Sequence, residues 1–164
     1  MSARRAPEAV QVVKERRDRA LATLVGTVPY ITYMGFKFDR RGDELTAIMP
    51  YRDDLVGNPA LPALHGGAIS AFLEATALIV LGWSLVWPRI ETGDALPEGI
   101  ALPKTIDLTV DFLRSGLPRD AYARARVTRS GRRYASVQVE AWQDNRDRPI
   151  AQATGHFLMP RQDD

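Results

Sequence analysis

Between Thr105 and Phe112 the chain alternates strictly: Ile106, Leu108, Val110 and Phe112 interleave with Thr105, Asp107, Thr109 and Asp111. Successive strand side chains point to opposite faces, so this pattern predicts a strand with one buried face. Two further strands are expected at residues 121–129 and 133–142 around the turn "SGRR", and a last one at residues 149–159 after "DNRD". Towards the N-terminus a strand is expected around residues 30–39. A tight "RRGD" turn and a second strand near residues 44–51 follow.

Two segments read as helices instead. Pro7 followed by "EAVQVVKERRDRALATLVG" has Pro in its first turn and Gly26 near its end; Val10, Val13, Ala20, Leu21 and Leu24 would share a buried stripe. The stretch "LHGGAISAFLEATALIVL", residues 64–81, opens on His-Gly-Gly and then is apolar or small almost throughout, predicting a helix over residues 67–83. Residues 52–64, with Gly57, Asn58, Pro59 and Pro62, read as a loop, and residues 84–103 as a long connection. A helix apolar nearly all round must be covered on most sides. The economical solution is an α+β fold in which a curved antiparallel sheet of five to six strands wraps around that helix. An additional N-terminal helix would occupy residues 1–27 and a single domain residues 28–160. The sheet's remaining edge or face then calls for association.

Composition narrows the picture. A chain of 164 residues suits one domain with a proper core. It has no cysteine, which excludes disulfides and thiolate metal sites and fits a cytoplasmic location. The N-terminal residues lack the apolar core of a signal peptide. The apolar run at residues 64–81 is broken by Ser70, Glu74 and Thr76 and falls short of the roughly 20 residues of a membrane span. The net charge is +2, with arginines mixed among acids, whereas a nucleic-acid binder more often carries a dense basic stripe. Neither nucleic acid nor membrane is expected as a partner. A local patch for a phosphorylated small molecule stays open.

The motif "LHGGAISAFLEATA", followed some thirty residues later by "TIDLTVDFLRSG", resembles the hotdog-fold acyl-CoA thioesterases of the PaaI-like (phenylacetic acid degradation) type. The resemblance runs from Val28 to Met159, and its most specific part is the acid Glu74 nine residues after His65. It implies a hotdog fold, hydrolysis of an acyl-CoA without a cofactor, and two subunits sharing active sites in a homodimer, with assembly to a homotetramer. It also gives His65 a loop-organising role, Thr105 a place near the acid, and Asn58 a place in the substrate loop. Two departures stand out. Asn58 lies seven residues before His65 where the family usually has six, and Glu74 stands where many members carry Asp.

Read from the residues themselves, Glu74 is the feature to explain, because a carboxylate is rarely buried unless paired. It could act as a general base on water or as a nucleophile; alternatively it is structural, held by a cross-subunit Thr or His. Gly66 and Gly67 stand where the first helical N–H groups lack internal partners, which suits an oxygen gaining negative charge. They could equally serve close packing. Arg129, Arg132 and Arg133 cluster at one turn, where guanidinium would fit the phosphates of coenzyme A or simply be solvated. His65 and His156 lack metal-ligand spacing, so no metal is expected, and His156 reads as a satisfied structural residue. Two other functions compete with hydrolysis: hydration or dehydration of an enoyl thioester, and non-catalytic binding of an acyl thioester.

Overall fold

A computed structural model describes residues 8–161, so the Pro7 helix start lies outside the described residues. The chain runs α1 (Val10–Gly26), α2 (Pro29–Met34), β1 (Lys37–Arg41), β2 (Glu44–Met49), a 3₁₀ turn (Asp53–Leu55), β3 (Val56–Asn58), β4 (Ala63–Leu64), α3 (Gly66–Thr92), β5 (Lys104–Phe112), β6 (Ala121–Ser130), β7 (Tyr134–Trp142) and β8 (Ala151–Leu158). Six strands form one antiparallel sheet in the order β1-β2-β6-β7-β8-β5, and β3 pairs with β4 in a separate small hairpin. Helix α3 lies on the sheet's inner face, burying Ile69, Phe72, Leu73, Ile79 and Leu81. The inner positions facing it are mostly small: Ala135 and Ala141 on β7, Ala151 and Ala153 on β8. Small side chains let the helix sit close to the sheet. This is the expected α+β wrap around a central apolar helix.

Residues 52–64, expected as a loop, hold the 3₁₀ turn and the β3–β4 hairpin. Three further expectations need correction. Residues 29–34 form helix α2, not the start of a strand, and β1 begins only at Lys37. Pro29 sits in the first turn, Ile31 and Met34 are buried three residues apart, and Gly35 closes the helix at φ 73°. The Arg52 guanidinium donates to the carbonyls of Tyr33 and Met34 and completes that end. Tertiary capping therefore overrides the strand preference of "YITYM".

Helix α3 also runs to Thr92 rather than stopping near Trp83, with Pro88 inside it. Packing accounts for this: Trp83, Val86 and Ile90 continue the buried stripe. Arg17 of α1 lies over the Trp87 ring at 4.7 Å and pairs with Glu91 at 2.8 Å. At 27 residues α3 is long and apolar enough to cross a membrane, but 61% of its most apolar window is buried inside the fold, where it is the core the sheet wraps. On α1, the third correction, Ala20, Leu21 and Leu24 are buried, but Val10 is exposed and Val13 only half-buried.

The strand that reads most clearly in sequence occupies an edge. β5 pairs only with β8, and its apolar residues are not all covered: Ile106 is 53% and Phe112 55% exposed. Its ladder is also irregular, because Thr105 faces Phe157 while Asp107 faces His156, leaving Ile106 as the extra residue of a β-bulge.

Candidate active site

The start of α3 is held by the residue before it. His65 is the N-cap, and its Nδ1 accepts the Gly67 N–H at 2.8 Å. The His65 N–H in turn donates to the Leu55 carbonyl at 2.7 Å. Gly57 lies so close that a Cβ there would meet the His65 Cα at 2.8 Å. The loop-organising role that the resemblance implies for His65 thus has a physical form: it satisfies one orphan helix amide. Gly67 N–H is thereby occupied, while Gly66 N–H makes no hydrogen bond among the described residues. A Cβ on Gly66 would come within 3.2 Å of the Phe112 ring. Together with Leu64, Ile69, Arg114 and Gly116 these residues line an open groove beside the helix start.

Glu74 lies two turns further along α3, half-buried, and its partner is on the same chain. Thr105 Oγ1 donates to Glu74 Oε1 at 2.6 Å. Strict alternation would put Thr105 on the outer face with Asp107 and Thr109. The bulge at Ile106 adds half a period, so Thr105 faces inward beside buried Phe157 and reaches the helix. Nothing in the alternating sequence marks that bulge, so sequence reasoning missed it. Along α3, Gly67, Ala71, Glu74 and Leu78 succeed one another three and four residues apart and are not fully buried. They form one stripe, small at its start, that is open to one side.

Arg129, Arg132 and Arg133 are exposed at the β6–β7 turn and make no ion pair among the described residues. The ladder sets their place relative to the acid. Tyr134 on β7, Leu158 on β8 and Lys104 on β5 form one row across the sheet, and Ala135, Phe157 and Thr105 the next. The arginine turn and the Glu74–Thr105 pair therefore occupy the same end of the sheet. Lys104 adds a charge there that the sequence reading did not single out. Asn58 lies elsewhere, on the small hairpin, and its Oδ1 accepts the amides of Ala60 and Leu61 at 3.1 and 3.4 Å. His156 sits on the outer face of β8, with Nδ1 2.7 Å from Asp107 Oδ1. Among the described residues no group of three or more His, Asp or Glu could hold a metal.

Comparisons with known proteins bear on the family and the fold. Residues 57–158, from the small hairpin to the end of β8, match the family described as "Acyl-CoA thioesterase N-terminal domain". The medium/long-chain acyl-CoA thioesterase YigI of Escherichia coli K12 is 30% identical over 135 residues, covering 80% of this chain and 86% of that protein. Its Salmonella typhimurium counterpart is 35% identical over 107 residues, covering 64% and 68%. Among solved structures, a Chromobacterium violaceum protein superposes with a TM-score of 0.62 at 35% identity, covering 93% of this chain and 99% of its own. A phenylacetic-acid-degradation-related protein from Ralstonia eutropha shares the fold at 24% identity, with a TM-score of 0.59 over 88% and 99% of the two chains. With a core helix wrapped by an antiparallel sheet and a family match over more than half its length, the chain belongs to the hotdog-fold acyl-CoA thioesterases, which are thioester hydrolases.

Proposed function

We propose that the protein hydrolyses acyl-CoA at a composite site built by two copies of the chain, with Glu74 of one and Gly66 of the other at the thioester. The observation that carries this reading is where β5 places its two ends. Thr105, holding Glu74, and Phe112, lying on Gly66, face Phe157 and Ala151, which are six residues apart on β8. At about 3.4 Å per residue that is roughly 20 Å. Along α3, Gly66 and Glu74 are eight residues apart, or about 12 Å. One thioester carbon needs its reacting neighbours within about 3–3.5 Å, so one chain does not supply both groups. An antiparallel pairing of two β5 edges centred near Leu108 brings Phe112 and Gly66 of one chain against Thr105 of the partner subunit. The open edge of β5, its exposed Ile106 and Phe112, and the uncovered stripe of α3 all support such a two-fold contact.

In that site the Gly66 N–H and the positive end of α3 stabilise the oxyanion. Thr105 occupies one Glu74 oxygen and leaves the other for the reaction. Acting as general base, Glu74 takes a proton from water as the water oxygen bonds to the thioester carbon; acting as nucleophile, it forms an anhydride that water then opens. Either route consumes one water and releases a carboxylic acid and coenzyme A. Arg129, Arg132 and Arg133, at the Glu74 end of the sheet, bind the coenzyme A phosphates. We extend to this chain the medium- and long-chain acyl class named for its YigI relative; Ile69 and Phe112 offer an apolar wall beside Gly66.

Hydration of an enoyl thioester fits less well. The described Asp–His pair, Asp107 with His156, lies on the outer face of the sheet, away from α3. The test is thiol release from acyl-CoAs of graded chain length by the wild type and by Glu74→Gln. Hydrolysis by the wild type, and its near-complete loss in a Glu74→Gln variant with native circular dichroism, is the expected result. An active Glu74→Gln variant would make the acid structural.

A further inference from the structure

Tyr134, at the start of β7, has no part in the site described above. It is 62% exposed, and neither its ring nor its hydroxyl has a partner among the described residues. One exposed ring is ordinary; its surroundings are not. Ala135 beside it is buried in the core, so Tyr134 points to the outer face. Its row runs through half-buried Leu158 to Lys104. On β6, Val127 pairs with Val137 and packs on the core, and strict alternation would turn Arg129 inwards as well. The ladder shifts instead: Thr128 is the extra residue of a bulge, and Arg129 pairs with Ser136. Ser136 is two residues from Tyr134 on one strand, so it too faces outwards. The bulge therefore sets Arg129 on the outer face, diagonal to Tyr134 and within reach of a long side chain.

Arg129, Arg132, Arg133 and Lys104 stand around that ring and make no ion pair among the described residues. Asp107, the acid of the Ser136 row, is held 2.7 Å from His156. A bare aromatic face among free cations suits a ligand that joins a planar base to phosphates. We propose that Tyr134 stacks on the adenine of coenzyme A, with Arg129 on a phosphate beside it. The inference rests on the acyl-CoA reading given above and adds the place of the base: the outer face, round the end of the sheet from Glu74. Thr105 and Tyr134 lie one row apart on β5 and β7, with only β8 between those strands, or about 10 Å at the usual strand spacing. The pantetheine arm spans that distance between thioester and pyrophosphate.

The test measures binding of free coenzyme A by isothermal titration, alongside hydrolysis of an acyl-CoA and of the matching acyl-pantetheine thioester, which lacks the nucleotide. Tyr134→Val keeps a strand-forming residue and removes the ring. It should weaken coenzyme A binding about five- to thirtyfold, as loss of a base-stacking ring does. KM for the acyl-CoA should rise in step while kcat changes less than about twofold. The pantetheine thioester should be hydrolysed as by the wild type. Tyr134→Phe, which keeps the ring, should bind coenzyme A within about twofold of the wild type. Arg129→Gln should also weaken coenzyme A binding and leave the pantetheine thioester unaffected.

Coenzyme A binding by Tyr134→Val within about twofold of the wild type, or equal losses on both thioesters, overturns the stacking role. Glu74→Gln, titrated in parallel, should bind coenzyme A as the wild type does but release no thiol. If Tyr134→Val binds normally while Glu74→Gln is inactive, the hydrolytic reading survives and the stacking role falls. If the wild type neither binds coenzyme A nor cleaves an acyl-CoA, both fall. Should Tyr134→Val not fold, Tyr134→Trp decides the same question: coenzyme A must quench its fluorescence beyond any change in the wild type, and free pantetheine must not. Absence of that extra quenching overturns the proposal.

Discussion

His65 shows how little separates a structural from a functional residue at this site. Its ring spends Nδ1 on the Gly67 amide, which fixes the first turn of α3 and with it the direction of the Gly66 N–H. His65→Ala should cost about 1 kcal/mol of stability, as loss of an N-cap acceptor does, measured by urea denaturation; thioesterase activity should fall further than that stability loss explains. Gly57→Ala is a sharper probe from the other side. Its Cβ would meet the His65 Cα at 2.8 Å, and a backbone atom cannot swing aside as a side chain can. We expect a loss of about 1–3 kcal/mol together with reduced kcat. Wild-type stability and activity in Gly57→Ala would mean that the small hairpin moves freely and does not hold His65. At this scale the sequence marked His65, Gly66 and Glu74 correctly as neighbours of one helix, because their spacing is local. It could not show that Gly67 is already occupied, since that depends on a ring rotamer, nor that Thr105 faces inward, since that depends on a bulge with no signature in the residue pattern.

Elements were legible where one local rule governed them and obscure where distant contacts did. Alternation and turn residues located β5, β6, β7 and β8 to within a few residues. The strand preference of "YITYM" yielded to the caps at Pro29, Gly35 and Arg52, and Pro88 did not end α3 because α1 grips the helix beyond it. That grip rests on Leu24, which is fully buried and reaches α3 at Gly82, whose Cβ would lie 3.2 Å from Leu24 Cδ1. Leu24→Ala should cost about 2–5 kcal/mol in denaturant titration; a cost under about 0.5 kcal/mol would show that α1 is only loosely docked. The β6–β7 turn makes its own prediction. Removing the charge of Arg132 and Arg133 together should raise KM for acyl-CoA more than it lowers kcat. The same change should matter little for a truncated thioester without the nucleotide. Equal losses on both substrates would remove the turn from coenzyme A binding.

The whole molecule is where the account stands or falls, because the two groups proposed to share the chemistry, Glu74 beside Thr105 and Gly66 beside Phe112, lie at opposite ends of β5. An apolar edge strand with exposed Ile106 and Phe112 is a liability for a lone chain and an asset for a two-fold pair. The measurement that addresses this most directly is complementation in an isolated heterodimer. One subunit carries Glu74→Gln and the other Gly66→Leu, each inactive as a folded homodimer. In the mixed pair one site collects both defects and the other receives neither, so activity should return to about half that of a wild-type dimer, one intact site of two. Heterodimers that stay inactive while both parents remain folded would contradict the shared site and place Gly66 and Glu74 in separate roles.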